Sequence, residues 1–197
     1  MDDAAPRERE LKLAVGDLAA VEQRLRTLGA AFQGIEQETN EVLDTADRLL
    51  AHRLQRLRLR TVAGKPGVRV TWKGPASQDQ GLKSREEQEY QADDPATCAT
   101  VFARLGFHTI LTYRKERATW LWQGLSITLD RLEFGSFVEV EAPLHAPSGP
   151  PEALIAECLR TLGLQSAPRV EVSYAVLQER WDAGRPQQRP TPLEVAG

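Results

Sequence analysis

Short charged ladders with a two-residue period are the residues of this chain best suited to chemistry. The first is Glu8-Arg9-Glu10-Leu11-Lys12-Leu13. Successive side chains of a strand point to opposite faces, so Glu8, Glu10 and Lys12 share one face. The pattern returns in Leu57-Arg58-Leu59-Arg60, in Arg69-Val70-Thr71-Trp72-Lys73 and in Arg85-Glu86-Glu87-Gln88-Glu89. Later it recurs in Lys115-Glu116-Arg117 and Phe137-Val138-Glu139-Val140-Glu141. One face repeatedly carries acids or bases while the other carries Leu, Val, Ile or Trp. Acids in such number suit hard cations, and bases suit phosphate oxygens.

Helices and strands must alternate to position these ladders. Strands are predicted at 7–14, 36–45, 54–62, 67–74, 83–92, 111–122, 125–132 and 135–142. Asp17 is placed to cap a helix carrying Leu18, Val21, Leu25 and Leu28, ended by Gly29. Asp94-Pro95 starts a second helix, carrying Cys98, Val101, Phe102 and Leu105 and ended by Gly106. Pro150-Pro151 starts a third, carrying Leu154, Ile155, Cys158, Leu159 and Leu162 and ended by Gly163. The shared Leu-Gly ending suggests that the three pack alike on one sheet. Ser173 is placed to cap a last helix, Tyr174 to about Trp181. Gly64-Lys65-Pro66-Gly67 and Gln123-Gly124 read as hairpin turns, and Gly74 to Gly81 as a polar loop. The Arg-, Pro- and Gln-rich stretch from Ala183 reads as a disordered tail after a single domain over 1–182.

The bulk composition narrows the function. The 197 residues are 41% hydrophobic and 27% charged, which suits one globular domain. A net charge of −3, from 25 basic and 28 acidic residues, offers no excess to neutralise a long nucleic acid. No apolar run reaches the ~20 residues that span a bilayer, so a cytoplasmic protein without a membrane partner is expected. The two cysteines are expected as buried thiols rather than a disulfide. His52, His108 and His145 show no ligand-like spacing.

A charged sheet face cannot be packed under a helix, because burying unpaired charge costs too much. If the sheet closes, that face lines a solvated lumen and the helices cover the apolar outside. The expected fold is therefore α+β: a closed antiparallel β-barrel tunnel with a charged lumen and helices packed outside.

Taken in order, Glu-x-Glu-x-Lys, Leu-Arg-Leu-Arg, Lys-Gly-Pro, Arg-Glu-Glu-x-Glu, Lys-x-Arg, an isolated Asp and Phe-Val-Glu-Val-Glu resemble the CYTH superfamily, the triphosphate tunnel metalloenzymes. The resemblance runs from Glu8 to about Tyr174. It implies a tunnel that holds a triphosphate with Mg²⁺ or Mn²⁺. By that likeness Lys12, Arg58, Arg60, Lys73, Arg85, Lys115 and Arg117 would bind phosphate. Glu8, Glu10, Glu87, Glu89, Asp130, Glu139 and Glu141 would serve the metal, and Lys12, Asp130 and Glu139 would carry catalysis. Arg114 should face away from the tunnel.

The same likeness leaves two reactions open: a metal-dependent triphosphatase, acting on tripolyphosphate or a nucleoside or organic triphosphate, and a class IV adenylate cyclase. Some class IV cyclases carry a His-Phe pair just before Glu-x-Glu-x-Lys, where this chain reads Asp3-Ala4-Ala5-Pro6-Arg7. With both closing acids retained, the triphosphatase is the expected activity. A non-catalytic polyphosphate or nucleotide sensor is a third reading, and a homodimer is a reasonable assembly.

Overall fold

The structure is a computed structural model, and it describes residues 7–79, 82–142 and 150–184. Its strands are β1 (Arg7–Ala14), β2 (Ala31–Thr45), β3 (Arg56–Val62), β4 (Val68–Asp79), β5 (Leu82–Ala92), β6 (Phe107–Trp122), β7 (Leu125–Leu132) and β8 (Gly135–Ala142). Its helices are α1 (Leu18–Thr27), α2 (Leu49–His52), α3 (Pro95–Arg104), α4 (Pro151–Leu162) and α5 (Tyr174–Gly184). The strands close into a barrel in the order β1-β5-β4-β3-β2-β6-β7-β8, and all pairings are antiparallel. The expected charged tunnel with outer helices is the observed fold.

Alternation sorts each strand into a lumen face and an outer face. On β1 and β8, Leu11, Leu13, Val138 and Val140 point outward and are buried, while Lys12 and Glu139 sit opposite each other facing inward. The outward residues join Ile127 and Leu129 of β7 and Trp120 of β6 in the main core, under α1 and α4. Helix α1 contributes Leu18, Val21 and Leu25, and α4 contributes Ile155, Cys158, Leu159 and Leu162. Helix α3 instead places Cys98 over a separate cluster with Leu57, Leu59, Val68 and Val70. The three Leu-Gly helices therefore cover two faces of the barrel rather than one. Both cysteines are free and buried.

The punctuation residues act largely as expected. Asp17 and Asp94 accept backbone N–H bonds from Ala20 and Ala96. Gly163 ends α4 at φ +66°. Gln123 and Gly124 both take positive φ, the requirement of a two-residue type I′ turn. Gly74-Pro75 departs from expectation. Proline cannot donate to a sheet ladder, but here the register shifts between Lys73 and Ala76 and the strand resumes, pairing Ala76 with Arg85 and Ser77 with Ser84. What reads as a loop from Gly74 is thus a bulge inside β4. Strands β2 and β6 start earlier than predicted, at Ala31 and Phe107, because each has the other as partner along its full length. β3 starts later, at Arg56, because the short helix α2, which the sequence does not announce, precedes it. Helix α5 continues through Ala183 to Gly184, and the rest of the expected tail lies outside the described residues.

Candidate active site

The barrel lumen holds a cavity of about 210 Å³. Ten Lys and Arg side chains and five Glu line it. Arg56, Arg58 and Arg60 form a row along β3; Lys73 comes from β4, Glu87 and Glu89 from β5, Lys115 and Arg117 from β6. Glu10 and Lys12 from β1 and Glu139 and Glu141 from β8 complete the wall. Arg114 is exposed, as alternation with Lys115 requires. Of the expected site residues, all but Glu8 and Asp130 line this cavity. Asp130 lies directly beneath it, fully buried against Arg117 and Lys115. Glu8 pairs by its backbone with Arg85, and its side chain lies outside the described residues.

Glu10, Glu87, Glu89, Asp130 and Glu139 are each engaged by a base. The Lys12 ammonium is 3.1 Å from Glu139 Oε1, donates to the Val172 carbonyl at 3.3 Å, and stands 4.0 Å above the Tyr174 ring. Arg117 Nη2 reaches Glu139 Oε2 at 2.5 Å. The same guanidinium forks onto Asp130, with Nε–Oδ1 2.7 Å and Nη2–Oδ2 2.5 Å. Asp130 Oδ2 also accepts from the Tyr174 hydroxyl at 2.8 Å and from Lys115 at 3.4 Å. Lys73 pairs with Glu87, Lys83 with Glu10 at 2.6 Å, and Arg58 with Glu89 at 3.7 Å. Arg85 donates to the carbonyls of Gly74 and Leu54, tying the β4 bulge to the turn before β3.

Sequence reasoning missed Glu38 and Tyr174. Glu38, on β2, is fully buried between Arg60 (3.4 Å), Lys115 (3.5 Å) and Arg117 (3.9 Å), and Asn40 donates to it at 3.1 Å. The alternation Glu36, Glu38, Asn40 is the signal that could have found it. Tyr174 opens α5, and no strand ladder points to it.

The crowding of charge shifts the titrations. Burial would raise the pKa of Glu38, but Lys115, Arg60, Arg117 and the Asn40 bond overcome it and hold the carboxyl at about 2. Burial pushes Lys115 down to about 8, with the Arg117 charge adding to the effect and Asp130 and Glu38 opposing it. Burial and then Arg58 lower Arg60 to about 10. Glu139 opposes burial with Lys12, Arg117 and Lys115 around it and stays well below the usual carboxylate range. For Glu10, burial and the neighbouring Glu139 charge both act upward. Lys83, Lys12 and Lys73 outweigh them, and its pKa falls below the ordinary value.

The donor set suits a hard divalent ion. Among the described residues no three acids, His or Cys converge closely enough to hold a metal alone. Glu10 lies across from Glu141, however, Glu139 is one alternation further on, and Glu139 and Glu10 repel within one wall. One or two carboxylates completed by phosphate oxygens and water is the coordination Mg²⁺ typically takes.

A closed antiparallel barrel with a lumen of opposed acid and base rows defines a class: β tunnels with a charged lumen. The CYTH domain model matches residues 6–174, and the chain belongs to this family. Its members include adenylate cyclase-like and triphosphatase enzymes, generally dependent on a divalent metal. The chain is 27% identical over 174 residues to a Methanocaldococcus jannaschii protein named "putative adenylate cyclase", covering 87% of this chain and 98% of that one. It is also similar to the solved PH1819 protein of Pyrococcus horikoshii, with 28% identity, TM-score 0.72, and 88% and 99% of the two chains covered. A Hippeastrum protein, described as a "putative adenylyl cyclase" with a dominant triphosphatase activity, shares the fold at 21% identity and TM-score 0.67 over 95% and 99% of the chains. Among the described residues no helix is long and apolar enough to cross a membrane.

Proposed function

We propose that this protein is a divalent-metal-dependent triphosphatase that hydrolyses inorganic tripolyphosphate or a nucleoside or organic triphosphate. The lining of the central cavity carries this reading. Its cation rows oppose an acid wall, and its aromatic rings among the described residues are Tyr113 and Tyr174. Both are buried, 6% and 5% exposed, and Tyr174 is committed to Asp130. A lumen rich in phosphate donors but without an open ring suits recognition of the phosphates rather than of a base.

Arg58, Arg60, Lys73 and Arg117 would cradle the phosphates, and Lys12 would donate to an oxygen next to the acid wall. Arg117 is pre-oriented: Asp130 takes its Nε and Nη2 hydrogens, which leaves Nη1 for substrate. With four donor contacts on its two oxygens, Asp130 acts as the positioning residue of this guanidinium. Glu10, Glu139 and Glu141 would hold the divalent ion. When bound, that ion supplies charge against the phosphate oxygens and lowers the pKa of water for an in-line attack. Glu139 would then serve both the ion and Lys12, which would set the base beside the reacting phosphate.

The name carried by the Methanocaldococcus relative favours a second reading, cyclisation of ATP to cyclic AMP and pyrophosphate. Phosphorus-31 NMR with Mg²⁺ or Mn²⁺ separates the two. Orthophosphate and pyrophosphate from tripolyphosphate are the expected products. Cyclic AMP and pyrophosphate from ATP, with tripolyphosphate untouched, would replace the triphosphatase with a cyclase.

A further inference from the structure

The lumen does not end at the residues that would cradle a triphosphate. The central cavity shares Arg60 and Arg69 with a second cavity of about 230 Å³, at the mouth formed by the β3–β4 hairpin. Glu36, Lys65 and Gln91 also line this mouth, and among the described residues no aromatic ring does. Arg60 and Arg69 face each other in register across β3 and β4. The row Arg56, Arg58, Arg60 rises by about 3.4 Å per residue and so runs about 14 Å along the strand, with Arg69 and Lys65 continuing it outward. Three phosphates held by Arg58, Arg60, Lys73 and Arg117 would leave Arg69 and the hairpin mouth beyond them without an anion.

The outer cations are unevenly matched by acids. Lys65 is offset by Glu36 at 2.5 Å, whereas Arg69 meets no carboxylate at ion-pair distance among the described residues. The Nε atoms of Arg58 and Arg60 are buried without a hydrogen-bond partner, that of Arg60 lying 3.4 Å from Glu38 Oε2. Burial, and after it the adjacent Arg58 charge, lower Arg60 to about 10 against the opposing Glu38 carboxylate. The mouth is also rigidly shaped. Gly67 is at φ +79°, and a Cβ there would lie 2.6 Å from the Ala92 carbonyl, so the hairpin tip is seated against the end of β5.

We propose that the hairpin mouth is a second anion subsite, and that the ligand this tunnel prefers is a linear inorganic polyphosphate longer than three phosphates, threaded along the β3 arginine row. The proposal rests on the triphosphate reading of the central cavity and names its substrate class. An extended anion without a nucleobase fits a mouth that offers guanidinium and amide donors and no stacking surface.

The test is calorimetric binding of tripolyphosphate, tetrapolyphosphate and a longer polyphosphate to the full chain, with a chelator present to stop turnover. Three proteins are compared: wild type, Arg69→Ala, and Arg114→Ala as a control for general attraction to an outward arginine. In the wild type the longer chains should bind at least about tenfold more tightly than tripolyphosphate, the equivalent of one added charged hydrogen bond. Arg69→Ala should reduce that ratio to within about twofold of unity, and Arg114→Ala should preserve it. Equal affinities at all chain lengths in the wild type would overturn the subsite, as would a ratio that survives Arg69→Ala or falls equally with Arg114→Ala. Failure of tripolyphosphate to bind both with the chelator and with Mg²⁺ restored would instead remove the triphosphate reading, and the subsite with it. Matching unfolding midpoints for the three proteins confirm that the comparison concerns binding.

Discussion

Glu38→Gln tests whether the tunnel floor is held together by charge. Glu38 is fully buried and lies within 4 Å of Arg60, Lys115 and Arg117. A carboxyl with an ordinary value of 4.5 that titrates at about 2 in the fold contributes about 3 kcal/mol of stability at neutral pH. Breaking a buried ion pair by removing one partner costs ~3–5 kcal/mol by a separate route, so the two figures agree. For a chain of this size the substitution should lower the unfolding midpoint by roughly 6–12 °C at pH 7. The sign with pH follows from the lowered value. The contribution is complete above about 4.5 and is lost as pH falls through about 2. Other acids also weaken the fold at low pH, so the informative quantity is the difference between wild type and variant in urea unfolding. That difference should be about 3 kcal/mol at pH 7 and shrink steadily below pH 4.5. Lys115→Met added to Glu38→Gln should recover part of the loss, since it removes one of the uncompensated cations. A cost below about 1 kcal/mol, or a difference that does not change with pH, would refute the reasoning.

Glu139→Gln should abolish turnover while the protein still folds, because the side chain borders the lumen and its neighbours Lys12 and Arg117 retain other partners. Substantial activity at saturating metal would remove it from the acid wall. Arg58→Ala should weaken tripolyphosphate binding by about 2–3 kcal/mol, the worth of a charged hydrogen bond, and an unchanged dissociation constant would exclude it from the cradle. Gly163→Ala should cost about 1–2 kcal/mol, since the position needs left-handed backbone and a Cβ would press on the Arg24 guanidinium. Thermal unfolding measures it, and a neutral effect would show that the α4 cap relaxes freely.

The barrel was legible because its face period is two and its two faces differ chemically. Arg58 and Arg60 alternating with Leu57 and Leu59 place themselves, since a shift of one residue would bury guanidinium under α3. Among the described residues, the lumen brings together Glu10 and Lys12, Arg58 and Arg60, Lys73, Arg85, Glu87 and Glu89, Lys115 and Arg117, and Glu139 and Glu141 from the ladders that β strands announced at that period. Two kinds of residue escaped. Glu38 and Asn40 stand in a strand whose outer positions are also polar, so no contrast between faces marks them. Ser173 and Tyr174 reach the site from a chain segment about thirty residues beyond the last strand, where Val170 and Pro168 bond to β1; only tertiary contact reveals that approach. Gly74-Pro75 misled for a third reason. The pair breaks the ladder locally, but the partner strand β5 continues, and a one-step change of register costs less than leaving that edge unpaired.

The mutual neutralisation inside the tunnel bears on how a substrate would enter it. The bases that would cradle a triphosphate already hold carboxylates: Lys12 and Arg117 hold Glu139, Lys73 holds Glu87, Arg60 approaches Glu38, and Arg58 approaches Glu89. A polyanion therefore cannot simply fill the lumen. It must displace these carboxylates as partners of the bases, and every displaced carboxylate then needs a new counter-charge in a poorly solvated place. On the Glu10–Glu139–Glu141 wall a divalent ion meets that need, so cation and phosphate should each make the other's binding less costly. The wall formed by Glu87 and Glu89 carries two acids rather than three, and they would have to share Lys73 and Arg58 with the phosphates. On the proposed reading this asymmetry would orient the substrate, with the phosphate to be cleaved beside Glu139 and the rest of the anion along β3.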